Sequence, residues 1–279
     1  MPASVVTYLA AQIVRALPRT AISRAVGRLC DAPLPPRLSR AVVQAYSKAW
    51  NVEMDDIEPQ PQPYRSFDDF FTRPLRDGRR PVSTVAHDFV SPSDGKLQSI
   101  GPIESGCRIV VKNKPYDVAR LVGNDDDARD YVGGQFAVVY LSPRDYHRVH
   151  APVDGALTLV RSLAGDLHPV NAIGDISGPT PLVLNRRVVA VFETASFGRV
   201  TLVFVGAMVV GRISLVTAPD SDVPLGHHAV DPPRAFRRGE EVGAFHLGST
   251  AVILAGPQAP AWHRSLGLIR VGESLTRNG

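Results

Sequence analysis

The sequence has few cysteines and no apolar run of the length that a membrane-spanning helix needs. Its two cysteines, Cys30 and Cys107, lie far apart and outside any C-x-x-C motif, so we expect free thiols in a reducing compartment. No apolar run reaches the roughly 18–20 residues of a membrane span. The first basic residue, Arg15, follows the first apolar stretch instead of preceding it, which is atypical of a secretory signal. These absences favour a soluble or peripheral protein.

The excess of positive charge lies at one end of the chain. The formal net charge is +4, but residues 1–50 hold seven basic side chains and one acidic, a local balance of +6. Apolar residues recur at helical spacing through residues 6–17 and again at Ile22, Val26 and Leu29, the second set beside Arg24 and Arg28. Basic amphipathic helices of this kind either bind anionic lipid headgroups or simply cap a domain and expose their arginines. The pI near 9.3 is the one hint of a nucleic-acid partner, and a lipid surface explains it equally well, so no nucleic acid is predicted.

Short β-branched runs follow a proline-punctuated stretch. They occupy residues 108–112, 136–141, 157–163, 187–193, 200–216 and 250–254, with turn residues between many of them. This pattern predicts an α+β protein with a β-rich sandwich or barrel after amphipathic N-terminal helices. We expect a helical membrane-associating segment over 1–55, a Pro-rich linker over 56–65, and a catalytic domain over 66–279. The region from Asp220 to Arg234 is predicted to be a surface loop.

Near the end of the chain, a Gly-Ser-Thr turn interrupts one of the apolar runs, in the sequence FHLGSTAVIL at residues 245–254. A strand bulge is the ordinary explanation for such a turn. Ser249 also shares the chain with Asp94 and with a histidine pair three residues apart, His147 and His150. Three kinds of chemistry therefore compete: metal binding by the His-x-x-His pair, which lacks an obvious third ligand, a hydrolase triad, and self-cleavage by Ser249. Residue types and spacing alone leave all of these open.

The Gly-Ser-Thr segment closely resembles the processing segment of the phosphatidylserine decarboxylase family, whose signature is an L-G-S-T run followed by apolar residues. Further segments resemble that family in the same order: SFDDFFTRPLRDGRRPV (66–82), SPSDGKL (91–97), VKNKPYDVARLVG (111–123), GGQFAVVYLSPRDYHRVHAPVDG (133–155), LHPVN (167–171), NRRVV (185–189) and VGAMVVGRI (205–213). The resemblance covers roughly residues 64–256, and several independent motifs make coincidence a poor explanation.

This resemblance implies a pyruvoyl enzyme that cuts itself between Gly248 and Ser249, giving a β chain (1–248) and an α chain (249–279). Ser249 would become the pyruvoyl group, and Asp94 and His150 would complete the processing triad with it. His147 would face the substrate and assist decarboxylation or reprotonation. Arg148 is a candidate for binding the headgroup phosphate.

The partners implied are phosphatidylserine in an anionic membrane and a second αβ unit in a homodimer, at the cytoplasmic side of the cell membrane. Two alternatives remain open at this point. One is a pyruvoyl decarboxylase for another serine-like substrate, and the other is an uncleaved, non-catalytic lipid-binding relative.

Overall fold

The structure, a computed structural model, describes residues 19–170, 181–208, 212–218, 222–247 and 249–277. The helix predicted within residues 6–17 and the residue Gly248 lie outside these ranges. The α-helices are α1 (Arg19–Asp31), α2 (Pro36–Trp50), α3 (Phe67–Phe71), α4 (Val118–Val122), α5 (Asp125–Arg129) and α6 (Pro181–Leu184), with a 3₁₀ turn at Met54–Asp56. Both cysteines are free, as expected.

The strands are β1 (Gly95–Pro102), β2 (Arg108–Val111), β3 (Lys114–Asp117), β4 (Gln135–Leu141), β5 (Arg148–His150), β6 (Gly155–Leu163), β7 (Arg187–Thr194), β8 (Gly198–Val205), β9 (Arg212–Leu215), β10 (Gly226–Phe236), β11 (Glu241–His246), β12 (Ser249–Ala255) and β13 (Gly267–Ile269). An antiparallel sheet of eight of these strands forms the centre of the fold, in the order β10-β6-β7-β8-β12-β4-β1-β13. A three-stranded sheet in the order β5-β11-β9 and the hairpin β2-β3 accompany it.

The central strands are mostly apolar because the large sheet is covered on both faces. All seven residues of β12 are buried, and their side chains alternate between two cores. Ala251 and Ile253 belong to the core shared with the three-stranded sheet, which also contains Phe245. Val252 and Leu254 belong to the core beneath α4, α5 and the hairpin. Helices together with these sheets confirm the predicted α+β class. Of the two predicted forms of the β-rich core, sandwich or barrel, the facing sheets form a sandwich.

The β-branched runs become strands, with two differences from expectation. The long run at 200–216 is divided between β8 in the large sheet and β9 in the small one. The predicted surface loop at Asp220–Arg234 is wrong over its second half, because Gly226–Phe236 forms the edge strand β10 paired with β6. Its prolines are tolerated because an edge strand leaves one side unpaired and the ladder shifts register between Ala229 and Arg234.

The N-terminal helices pack against the segment that leads to Ser249. Leu247 is buried against Phe71 of α3, with Val26 and Cys30 of α1 and Tyr46 of α2 around them. The carboxylate of Asp31, at the end of α1, accepts bonds of 2.5 and 2.6 Å from Arg212 of β9. Within the described ranges, no helix is long and apolar enough to cross a membrane. The ends of α1, α2 and α3 therefore form one wall of the region around residue 247.

Candidate active site

Ser249 lies where the chain passes from one sheet to the other. Strand β11 ends at His246 in the small sheet, and β12 begins at Ser249 in the large one. The Gly-Ser-Thr sequence that interrupts the apolar run therefore falls where the chain leaves the three-stranded sheet and enters the eight-stranded one. Ser249 is 1% exposed, and its hydroxyl makes no hydrogen bond within the described part of the chain. A buried hydroxyl without a partner costs about 1–3 kcal/mol, so its presence calls for a functional explanation.

The backbone just before this serine is strained. Leu247 has a φ of 86°, a left-handed conformation that a branched side chain adopts at a cost of about 1–3 kcal/mol. The side chain is held there by burial against Phe71 and the residues of α1 and α2 that surround it. The packing of the N-terminal helices thus maintains strain one residue before Gly248.

His147 carries a second buried polar atom without a partner. Its side chain is fully buried, with the Phe71 ring centroid 4.0 Å from its own. Nδ1 lies 2.8 Å from the carbonyl oxygen of Asp145 and donates to it, which leaves a lone pair on Nε2. Nε2 is buried and makes no hydrogen bond within the described residues. Burial, reinforced by the charge of Arg73, lowers the pKa of His147 from 6.5 to about 3, so its Nε2 is an unprotonated acceptor at neutral pH.

The strand ladders place His147 close in register to the serine. The carbonyl of His147 accepts from the amide of Phe245 at 3.0 Å, four residues before Ser249. Ser249 itself pairs with Leu141, six residues before His147. The segment from β4 to β5 and the segment from β11 to β12 therefore run side by side, and they bring the two partnerless side chains to one end of the sandwich.

His150 has both ring nitrogens engaged. Nδ1 lies 2.8 Å from the carbonyl oxygen of Gly239, and Nε2 lies 3.1 Å from the Tyr146 hydroxyl. Burial lowers the pKa of His150, although the bond to Gly239 and the negative charges of Glu241 and Asp94 act in the opposite direction. Asp94 therefore influences the imidazole electrostatically, without a hydrogen bond between them in the described structure.

Asp94 is held by an arginine that sequence reasoning missed. Arg80 contacts both carboxylate oxygens, at 2.9 Å from Nε and 2.5 Å from its terminal nitrogen, and the amide of Val271 donates at 2.9 Å. Nothing in the sequence separates Arg80 from its neighbour Arg79, yet their side chains are 10% and 45% exposed. Only the fold distinguishes them.

The sheet register fixes where Asp94 lies relative to Ser249. Lys96 of β1, Tyr140 of β4 and Thr250 of β12 form one row across three strands. Asp94 and Ser249 consequently lie on the same side of that row, each just before it in the chain. Their backbones are separated by two strand spacings, or about 10 Å. Gly95 follows Asp94 because a Cβ there would lie 2.3 Å from the Tyr140 carbonyl oxygen. The structure thus gathers Asp94, His150, His147 and Ser249 in one region, and the hydrogen bonds of the predicted triad are not formed in this state. Catalytic hydrogen bonds are often long in unliganded proteins, so the triad stays a prediction.

Arg148 is already occupied by protein partners. Its Nε donates to the Thr72 carbonyl at 2.8 Å, and a terminal nitrogen lies 2.9 Å from Glu241. These bonds tie β5 to α3 and β11. A role for Arg148 in binding phosphate stays a prediction.

The depressed pKa of His147 has a consequence for stability. Between pH 6.5 and its folded pKa of about 3, the unfolded chain binds a proton that the folded chain excludes, so stability falls as pH falls. From pH 7.5 to 5.0 this amounts to about 2 kcal/mol at 1.36 kcal/mol per pKa unit. Urea unfolding of Ser249→Ala and of Ser249→Ala/His147→Asn at both pH values measures the difference. The double variant should lose about 2 kcal/mol less on acidification, and equal losses would contradict a neutral, buried His147.

Comparisons with known proteins converge on one family. A sequence model described as phosphatidylserine decarboxylase matches residues 67–277. Proteins named phosphatidylserine decarboxylase proenzyme are similar over most of their length. That of Bordetella avium (strain 197N) is 37% identical over 268 residues, 92% of this chain and 90% of the relative. That of Pseudoalteromonas translucida (strain TAC 125) is 38% identical over 251 residues, 86% of each chain. That of Psychrobacter cryohalolentis is 34% identical over 264 residues, covering 93% and 95%.

Proposed function

The chain belongs to the phosphatidylserine decarboxylase family, and on that premise we propose that it is a proenzyme that cuts itself between Gly248 and Ser249 and then converts phosphatidylserine to phosphatidylethanolamine and carbon dioxide. The observation that carries the proposal is the buried, partnerless hydroxyl of Ser249, two residues after the strained Leu247. A hydroxyl without a hydrogen bond has no partner to give up before it attacks, and release of strain favours a change at the neighbouring peptide bond.

The cleavage consists of steps on this chain's own atoms. The Ser249 oxygen attacks the carbonyl carbon of Gly248, the C–N bond breaks, and the peptide becomes an ester with a free amine on residue 249. Loss of the Cα proton and breakage of the Cβ–O bond then release the Gly248 carboxylate. The dehydroalanine that remains reacts with water, loses ammonia and becomes a pyruvoyl group. Gly248 has no Cβ, which relieves crowding at the attacked carbon.

In this proposal His150 accepts the Ser249 proton and Asp94 stabilises the imidazolium that results. The position of Asp94 supports this: burial lowers the pKa of His150, and the negative charge of Asp94 is among the influences that oppose that lowering. His150 would exchange its Tyr146 hydrogen bond for one to Ser249. Arg80 is a positioning residue that fixes the Asp94 carboxylate through both oxygens.

A pyruvoyl group at position 249 would supply a ketone for the substrate's amine and an electron sink for the loss of carbon dioxide. The residues present fit such a group, since position 249 is buried and has a hydroxyl without a partner. His147 moves the protons. Its neutral Nε2 takes the proton that the substrate ammonium must lose, and it returns that proton to the α-carbon after decarboxylation.

The substrate is a lipid, so the site must work at a bilayer surface. The arginines of α1 and α2 support peripheral attachment to the anionic cytoplasmic leaflet, because Arg24, Arg28, Arg37 and Arg40 are all exposed. We further propose that the cleaved chains form a homodimer of αβ units.

Release of carboxyl-labelled carbon dioxide tests the substrate. The purified full-length protein is expected to release it from phosphatidylserine in vesicles and to leave free serine untouched. Equal release from free serine would show a pyruvoyl decarboxylase with a different substrate. No release from any serine-like compound, by a chain of uncut mass, would show a non-catalytic relative.

A further inference from the structure

A cavity of about 510 Å³ opens beside the predicted cleavage segment. It lies between α1, the residues after β6, and β9, and its wall includes His246 and Leu247 of the segment that leads to Ser249. Four arginines share its lining: Arg24, Arg28, Arg186 and Arg212. Three aspartates, Asp31, Asp68 and Asp222, line it as well, so a case for an anionic ligand depends on the arginines that these carboxylates leave unpaired.

The four arginines divide into two pairs. Arg212 is bound to Asp31 and Asp68, at 2.5 and 2.6 Å, and Arg186 lies 2.8 Å from Asp222. These ion pairs form part of the cavity wall, and the carboxylates largely neutralise the charges of Arg212 and Arg186. Arg24 and Arg28 are exposed, and neither forms an ion pair within the described residues. They lie four residues apart on one face of α1, so both guanidinium groups can meet the same anion.

The cavity is within reach of Ser249. Leu247 forms part of its wall, and two residues of chain span at most about 7 Å. The phosphorus and the amine of a phosphoserine headgroup are separated by only four bonds. A phosphodiester held by the arginines therefore leaves the amine near position 249.

Exposed apolar side chains accompany this cavity. Leu225 lines it with 58% of its surface exposed, and Leu29 of α1, between Arg28 and Cys30, is 72% exposed. Large apolar side chains left in water beside a cationic cavity match a ligand that has a phosphate followed by glycerol and acyl chains.

We propose that this cavity is the phosphodiester subsite for a glycerophospholipid, with Arg24 and Arg28 as the anion ligands and Leu225 facing the glycerol and acyl region. This inference rests on the proposed function, since it takes the cavity's occupant to be the decarboxylation substrate. Arg148, with two protein partners, is then a structural arginine.

Kinetics on a monomeric, short-chain phosphatidylserine separate cavity binding from attraction to a membrane surface. The Arg24→Gln/Arg28→Gln variant is expected to raise KM about tenfold or more, as loss of charge-assisted bonds implies, with kcat little changed. Arg108→Gln/Arg120→Gln removes the same charge from two exposed positions that do not line the cavity, and it should leave KM unchanged. Equal KM values for the two double variants would overturn the subsite.

Gly27 offers a second variant without any change of charge. It lines the cavity, and a Cβ there would meet nothing within 4 Å. Gly27→Leu is expected to stabilise α1, because glycine is a poor helix former, and still to raise KM by filling the cavity. A more stable protein with an unchanged KM would count against the proposal.

Competition identifies the source of the phosphate. Glycerophosphoserine should inhibit the wild type at far lower concentration than inorganic phosphate, and Arg24→Gln/Arg28→Gln should abolish that difference. Equal inhibition by both anions would reduce the cavity to a general anion site and overturn the phospholipid assignment. Binding of glycerophosphoserine to the Ser249→Ala chain, measured by calorimetry, does not require catalysis. Binding there without decarboxylation by the wild type would uphold the cavity and refute the proposed function.

Discussion

Replacing Ser249 by alanine is expected to leave the chain whole and inactive. Without the hydroxyl, no atom at position 249 can attack Gly248, and no pyruvoyl group can form. Because that group is the electron sink, the entire acceleration should be lost, at least about 10⁶-fold on general grounds. Intact mass spectrometry measures the first effect. The wild type should yield a 31-residue C-terminal chain of about 3.2 kDa, and the variant a single species near 30.1 kDa.

The matched control is Ser39→Ala, which removes a buried hydroxyl from α2 instead of from the strand junction. Ser39 is 1% exposed and donates to the Tyr64 carbonyl at 2.7 Å, so its loss should cost some stability and leave cleavage intact. A wild-type chain that is uncut and still releases carbon dioxide from phosphatidylserine would refute the pyruvoyl mechanism. The Gly-Ser-Thr segment would then be only a crossing point between sheets.

Replacing His147 by asparagine is expected to separate the two reactions. Asparagine keeps a donor for the Asp145 carbonyl but has no counterpart of Nε2, the atom that exchanges protons with the substrate. Self-cleavage should therefore proceed, while kcat falls by about 10²–10⁴-fold with little change in KM. Mass spectrometry gives the fraction cleaved, and carbon dioxide release from phosphatidylserine gives kcat.

His150→Asn is the paired variant, because it removes the other imidazole of the same segment. We expect it to remain largely uncut, since His150 is the proposed acceptor of the Ser249 proton. The opposite pattern, with an uncut His147→Asn chain and a cleaved His150→Asn chain, would exchange the two roles. The partnerless Nε2 of His147 makes that exchange chemically reasonable, so the pair of variants is decisive.

The strands were predictable because their signal is local. The apolar runs at 136–141 and 250–254 became adjacent central strands, β4 and β12, and nearly all of their residues are buried. The prolines in Asp220–Arg234 led to the prediction of a loop, because proline generally weakens a strand. An edge strand tolerates proline on its unpaired side. Whether Gly226–Phe236 lies at an edge depends on the order of the whole sheet.

The sequence by itself determined which residues could react and which family the chain resembles, because motifs such as L-G-S-T and Y-H-R-V-H are contiguous. The tertiary structure decided which of those groups have partners. His147 and His150 lie three residues apart, yet only the first has a partnerless nitrogen. Arg80 binds Asp94, which lies 14 residues away in the sequence, and Arg212 binds Asp31, which lies 181 residues away. Such pairings depend on sheet order and register and on how α1 packs against the sheet. No local pattern encodes these features, because each arises only when distant segments are buried together.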